Sequence, residues 1–152
     1  MTTVTLVSAA ELDLHWLWDN RCGDCHGHAG EFARQFLTEA NGELQGRHHV
    51  RDLRRFMHNH YLNPDEVDAI YGMLLAQTRA PARFKTECSR CHESAASFAR
   101  RSLQLQEGEL VSRQSGRNVR RFLAHHQGLQ SEDVDYFTRL LTRVAQEVHP
   151  QE

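Results

Sequence analysis

Cys22-Gly23-Asp24-Cys25-His26 and Cys88-Ser89-Arg90-Cys91-His92 organise this 152-residue sequence. A shift of 66 residues lays the second stretch on the first, and the match runs on without a gap. Phe32-Ala33-Arg34 falls on Phe98-Ala99-Arg100, and Gly42-Glu43-Leu44 on Gly108-Glu109-Leu110. Arg51 falls on Arg117, Arg54-Arg55-Phe56 on Arg120-Arg121-Phe122, His60 on His126, and Leu74-Leu75 on Leu140-Leu141. Between residues 22 and 78, 20 of 57 positions are identical, where unrelated pairs match at about one in fifteen to twenty. The chain is therefore a duplicated unit. We divide it into modules 1–80 and 81–152, with Thr78–Phe84, which contains Pro81, as the linker.

Each module reads as helical. Ser8-x-x-Glu11 has the form of a capping box, which predicts a first helix from Ala9 into the first CxxC. Phe32 to Glu43 reads as a second helix ending at Gly42 or Gly46. Val50, Leu53, Phe56 and Met57 recur at helical spacing and predict a helix over Val50 to Tyr61. Asn63-Pro64-Asp65-Glu66 is a helix start, with Pro at N1 and Glu at N3. Ser131 is placed to cap the last helix, which carries Val134, Phe137, Leu140, Leu141 and Val144. No segment alternates in the manner of a strand. The expected fold is all-α, two tandem helical modules packed around two bound cofactors. A unit of roughly 65 residues buries little surface by itself, and a large apolar cofactor in each would complete its core.

Composition narrows the function classes. The chain is 39% hydrophobic and 25% charged with a net charge of −2, and Lys85 is its one lysine. No clustered basic face of the kind that binds nucleic acid is present. No apolar run approaches the roughly 18 residues of a membrane span. Met1–Ala10 lacks the basic start and apolar stretch of a signal peptide, so the chain reads as a mature form or an excised domain. Eleven histidines is a high count that points towards metal chemistry.

Four cysteines in two CxxC pairs are compatible with two disulfides, two redox motifs, one zinc site or two haem attachments. The histidine directly after each pair selects the last. Two cysteines three apart can each form a thioether to one vinyl group of a porphyrin, and the adjacent histidine can face the iron. A thioredoxin-like motif would need a βαβ setting. A zinc site would need the two pairs much closer than Cys25 and Cys88.

On these motifs the sequence resembles the multihaem c-type cytochromes, in particular small dihaem electron carriers with histidine on both sides of each iron. The resemblance implies two covalently bound haem c groups, maturation outside the cytoplasm in a periplasm or similar compartment, and electron transfer to partner redox proteins. His26 and His92 are the expected proximal ligands, with Cys22, Cys25, Cys88 and Cys91 as the thioether residues. His60 and His126 are the expected distal ligands, because among the histidines outside the motifs they alone coincide under the 66-residue shift. Each follows its motif histidine by 34 residues. His58, His125, Met57 and Met73 are rival ligands without a duplicated counterpart. His15, His28, His48, His49 and His149 read as surface or supporting residues. Arg51, Arg54 and Arg55, which recur as Arg117, Arg120 and Arg121, are candidates to pair with haem propionates, foremost Arg54, Arg55, Arg120 and Arg121. Phe32, Phe56, Phe98 and Phe122 are expected to pack on the haems. The rival function is a haem enzyme or gas sensor with one open iron, and a third is a module through which electrons enter a larger oxidoreductase.

Overall fold

Asp13 opens the first helix by accepting a hydrogen bond from the Trp16 amide at 2.8 Å, and α1 runs Leu14–Arg21. This computed structural model describes residues 12–47 and 52–149. The expected cap at Ser8, with the start at Ala9, lies outside the described residues, as do Val50 and Arg51. The chain divides into two units, one through Pro81 and one from Ala82.

In the first unit α2 (Gly23–His26) and α3 (Ala29–Phe36) follow α1. The chain then turns through a hairpin, β1 (Leu37–Ala40) and β2 (Glu43–Gly46), before α4 (Leu53–His58) and α5 (Pro64–Arg79). The second unit begins with a π-helical turn, Phe84–Cys88, in the place of α1. It continues with α6 (Ser89–His92), α7 (Ala95–Ser102), β3 (Leu103–Gln106), β4 (Glu109–Ser112), α8 (Val119–Leu123) and α9 (Ser131–Val148).

The all-α expectation is overturned by the two antiparallel hairpins, and the fold is mixed α and β. The segment read as one helix over Phe32 to Glu43 stops at Phe36, and Leu37 pairs with Gly46. The cause is turn chemistry. Asn41 and Gly42 both have positive φ, 55° and 82°, as do Glu107 and Gly108 at 51° and 80°. Two consecutive left-handed residues form the tight turn whose twist matches paired strands. Arg47 then fastens the hairpin to the preceding helix, donating from Nε to the Leu37 carbonyl at 3.1 Å and from a terminal nitrogen to Arg34 at 2.9 Å. Arg113 repeats the contact on Leu103 at 2.9 Å.

The cores are built on the long last helix of each unit. Val67, Ile70, Met73 and Leu74 of α5 pack with Leu17, Ala33 and Leu37. Val134, Phe137, Leu141 and Val144 of α9 pack with Phe84, Ala99 and Leu103. Fully burying a side chain such as Phe137, 1% exposed, contributes about 1.5–3 kcal/mol. Asn63 and Glu66 form the expected capping box at the start of α5. The cap of α9 is Gln130 rather than Ser131, which is the helix's first residue. The last helices thus correspond at an offset of 67, with Val67, Ile70 and Leu74 matching Val134, Phe137 and Leu141. The pairing of Leu74-Leu75 with Leu140-Leu141 is corrected by one residue. The extra residue is Gly128, with φ of 68°, in the loop that leads to α9.

Candidate functional site

Each CxxCH stretch sits in a short helical turn. Cys22 ends α1 and His26 ends α2, while Cys88 closes the π-helical turn and His92 ends α6. Cys22 and Cys88 are half-buried, Cys25 and Cys91 are exposed, and all four thiols are free of disulfides. Burial pushes the Cys22 thiol above its ordinary pKa against the pull of Arg21, and burial with Glu87 does the same to Cys88.

The fold brings the duplicated histidines together. The ring centroids of His26 and His60 are 5.9 Å apart, and those of His92 and His126 are 6.2 Å apart. These residues are 34 positions apart in sequence, yet both units close the same gap to the same width. His60 and His126 stand just beyond α4 and α8, in turns where their amides bond to Met57 and Leu123 at 3.0 Å each. The helix expected over Val50 to Tyr61 is therefore shorter, ending at His58. Tyr61 and Gln127, directly after the histidines, both take positive φ and reverse the chain.

Phenylalanines flank both pairs in the same order. Phe32 lies 4.7 Å from His26, and Phe56 stacks on His60 at 4.7 Å. Phe98 lies 4.5 Å from His92, and Phe122 lies 4.8 Å from His126. All four candidate phenylalanines thus contact a candidate histidine. Phe56 and Phe122 keep 44% and 45% of their surface exposed, a large apolar area beside each pair.

Two imidazoles on opposite sides of one metal, each bonded at about 2 Å with its ring centre about 1 Å further, hold their centroids about 6 Å apart. Burial lowers the His26 and His92 pKa values below the ordinary one, and the facing His60 and His126 add to the effect. A neutral imidazole keeps the lone pair that a metal needs. Among the described residues no group of three or more His, Cys, Asp or Glu side chains is gathered as a metal cage. Two facing donors suit a metal whose remaining ligands come from a ring of its own.

In the second unit a cavity of about 560 Å³ opens between these groups. Cys88, Cys91, His92, Phe98, Phe122 and His126 line it, with Leu103, Leu123 and Phe137 of the core behind. That volume falls in the range of cofactor pockets, about 300–1,000 Å³.

The arginines are placed less uniformly. Arg54 is ion-paired with Asp68 and lies 3.8 Å over the Tyr71 ring, and Arg120 is ion-paired with Asp135. The two pairs are equivalent once the inserted Gly128 is counted. The Arg55 and Arg121 amides bond to the helix caps Asp52 and Asn118 at 3.0 Å each, and both residues are exposed. Arg117 and Arg90, rather than Arg120 and Arg121, line the cavity.

Trp18 is a site neighbour that the sequence reading missed. Its ring lies 6.1 Å from His26 and 5.3 Å from Phe32, and its indole nitrogen donates to the Gly27 carbonyl at 2.8 Å. Its counterpart is Phe84, 6.3 Å from Phe98. Extending the repeat comparison to the aromatic residues before each CxxC would have found both.

Comparison with known protein families, with curated proteins and with solved structures finds no match for this chain. Among the described residues no helix is long and apolar enough to cross a membrane.

Proposed function

We propose that this chain is a dihaem c-type cytochrome that carries single electrons between redox proteins outside the cytoplasm. The observation that supports the reading most is the twofold histidine pairing at 5.9 and 6.2 Å, each pair beside a CxxCH turn. Cys22 and Cys25 would hold one haem and Cys88 and Cys91 the other, with His26 and His60 as ligands of the first iron and His92 and His126 of the second. The haem, when bound, supplies a reversible one-electron Fe(III)/Fe(II) couple.

The chain's own residues supply the rest. Histidine on both sides leaves no position for a substrate at iron, which suits a carrier rather than a bond-making enzyme. Phe32 and Phe98 shield the proximal histidines, and the buried leucines exclude water, which tunes a potential through the local dielectric. Phe56 and Phe122 leave an apolar edge at the surface where a partner can approach.

The test is to express the chain in a host that matures c-type cytochromes and count haem by pyridine haemochrome. Two haems per chain, low-spin bands in both oxidation states and no spectral change with CO are expected. A high-spin band or a CO shift would replace the carrier with the open-iron enzyme or sensor. Absence of covalent haem would overturn the reading entirely.

A further inference from the structure

The two units carry opposite charge. Residues 1–81 hold eleven acidic and seven basic side chains, a net of −4, whereas residues 82–152 hold nine acidic and eleven basic, a net of +2. The reversal reaches the motifs themselves. Asp24, inside the first CxxCH, is replaced by Arg90 in the second, and Asp19 just before the first is replaced by Lys85. All four are exposed, so the difference is presented to solvent.

Two of the second unit's eleven basic side chains stand at the cavity. Arg90 and Arg117 both line it beside the exposed Cys91. Neither guanidinium has a carboxylate partner among the described residues. The one acid on the lining, Glu87, is ion-paired with Arg83 through bonds of 2.6 and 2.8 Å, and Arg83 also holds Asp133. Ser115 and Gln127 add polar groups, and the 45% exposed Phe122 adds an apolar contact. A positive rim around a partly apolar opening is the arrangement that steers an oppositely charged partner into contact.

We infer that the cavity mouth of the second unit is a docking surface for an acidic redox protein. The inference rests on the proposed function for what is exchanged there, but the charge pattern stands apart from it. Arg90 and Arg117 recognise carboxylates on the partner, and Phe122 gives the contact its apolar centre. The first unit keeps Arg51 where the second has Arg117 but carries Asp19 and Asp24 in place of Lys85 and Arg90, and it repels that partner. The two units thereby differ in the charge of the partner that each attracts.

The probe is poly-L-glutamate, titrated into the haem-loaded protein at about 0.01 M ionic strength, where charges act over about 30 Å. Haem is counted first, and binding is followed by amide nitrogen NMR. Shifts confined to residues 85–92 and 115–117 are expected, with no counterpart at residues 19–26. The K85D/R90D double variant should weaken binding about tenfold, and about 1 M salt should abolish it. R117E, outside the motif, should weaken it independently. Oxidation of the reduced protein by hexacyanoferrate(III) gives a second readout. Each anion takes one electron from one ferrous haem and becomes hexacyanoferrate(II), and K85D/R90D should slow that step while D19K/D24R should accelerate it. Shifts centred on the first unit, even shifts over both, or no binding by a protein with two haems would overturn the docking surface. Absence of haem would overturn the function instead, so the two failures are separable.

Discussion

Where the first unit places Trp18, the second places Phe84, and this one exchange shows how differently two copies can support the same pair of histidines. The Trp18 indole donates to Gly27 directly after His26 and so ties the end of the CxxCH turn to α1. Phe84 has no such donor. In its unit the residue after His92 is Glu93, which takes φ of 53° and bonds to Ser97 at 2.8 Å. Behind the motif the pattern repeats. The first unit links Arg21 directly to the buried Glu66 at 2.9 Å. The second carries Glu87 at the matching position and needs Arg83 to bridge Glu87 and Asp133. The histidine geometry survives these exchanges to within a few tenths of an ångström, while the polar contacts at Trp18 and at Glu66 have been rewritten. What the two units share is thus the best guide to function, and what they do not share is the best guide to how they differ in use.

The sharpest way to break the equivalence is to remove one distal histidine at a time. His60→Ala and His126→Ala should each open one iron, so that CO binds one haem of two and half of the low-spin absorption is lost. Spectra before and after CO report this directly. If His126→Ala leaves the protein silent to CO, a neighbouring side chain such as His125 has taken its place, and the two units are not equivalent.

A smaller difference lies beneath the hairpins. The Leu44 amide donates to the buried Tyr71 hydroxyl at 2.7 Å. The matching residue of α9 is Thr138, whose buried hydroxyl has no hydrogen-bond partner among the described residues. Tyr71→Phe strands a buried amide and should cost about 1–3 kcal/mol. Thr138→Val removes a group that is already unpaired and should be neutral or stabilising by up to about 1 kcal/mol. Chemical denaturation gives both values, and amide exchange in residues 37–46 locates the first. Trp18→Phe gives the first unit the second unit's side chain. It should cost about 1 kcal/mol through the lost bond to Gly27, read as faster amide exchange at residues 26–29.

The sequence made the paired histidines legible because both carry the same residue at the same spacing twice, a pattern that needs no knowledge of the fold between them. The hairpins were hidden for a local reason. Thr38-Glu39-Ala40 continues the composition of α3, and the deciding signal was the Asn41-Gly42 dipeptide, which favours a two-residue turn between strands. Read as a helix end, that glycine gave an all-α fold. The one-residue shift at Gly128 was concealed because Leu74-Leu75 matches Leu140-Leu141 by identity at the wrong offset, and the helix caps, the ion pairs and the burial of Leu141 beside the half-buried Leu140 separate the alignments. The arginines were read as one group because they recur together. Their different partners, Asp68 and Asp135 for Arg54 and Arg120 and the caps Asp52 and Asn118 for the Arg55 and Arg121 amides, depend on how the helices pack and not on spacing.

The smallest effect concerns Arg83, and its sign is fixed by the carboxylates it holds. Hydrogen bonds from Arg83 keep Glu87 and Asp133 below their ordinary values of 4.5 and 3.8. A carboxylate depressed in the folded state stabilises above its ordinary pKa, and that stability is lost as pH falls through the folded value. Arg83→Ala should therefore lower the unfolding midpoint at pH 7, and the difference should diminish as pH falls and the carboxylates become protonated. Because Glu87 is exposed and Arg83 and Asp133 are only partly buried, the difference at pH 7 should be modest and should shrink with added salt. Arg83 also lies 4.7 Å from the Tyr136 ring and 5.0 Å from the Phe137 ring. That contact does not titrate with the carboxylates. A loss of stability that does not change between neutral and acid pH would assign Arg83 to the aromatic rings and leave the bridge between Glu87 and Asp133 without energetic weight.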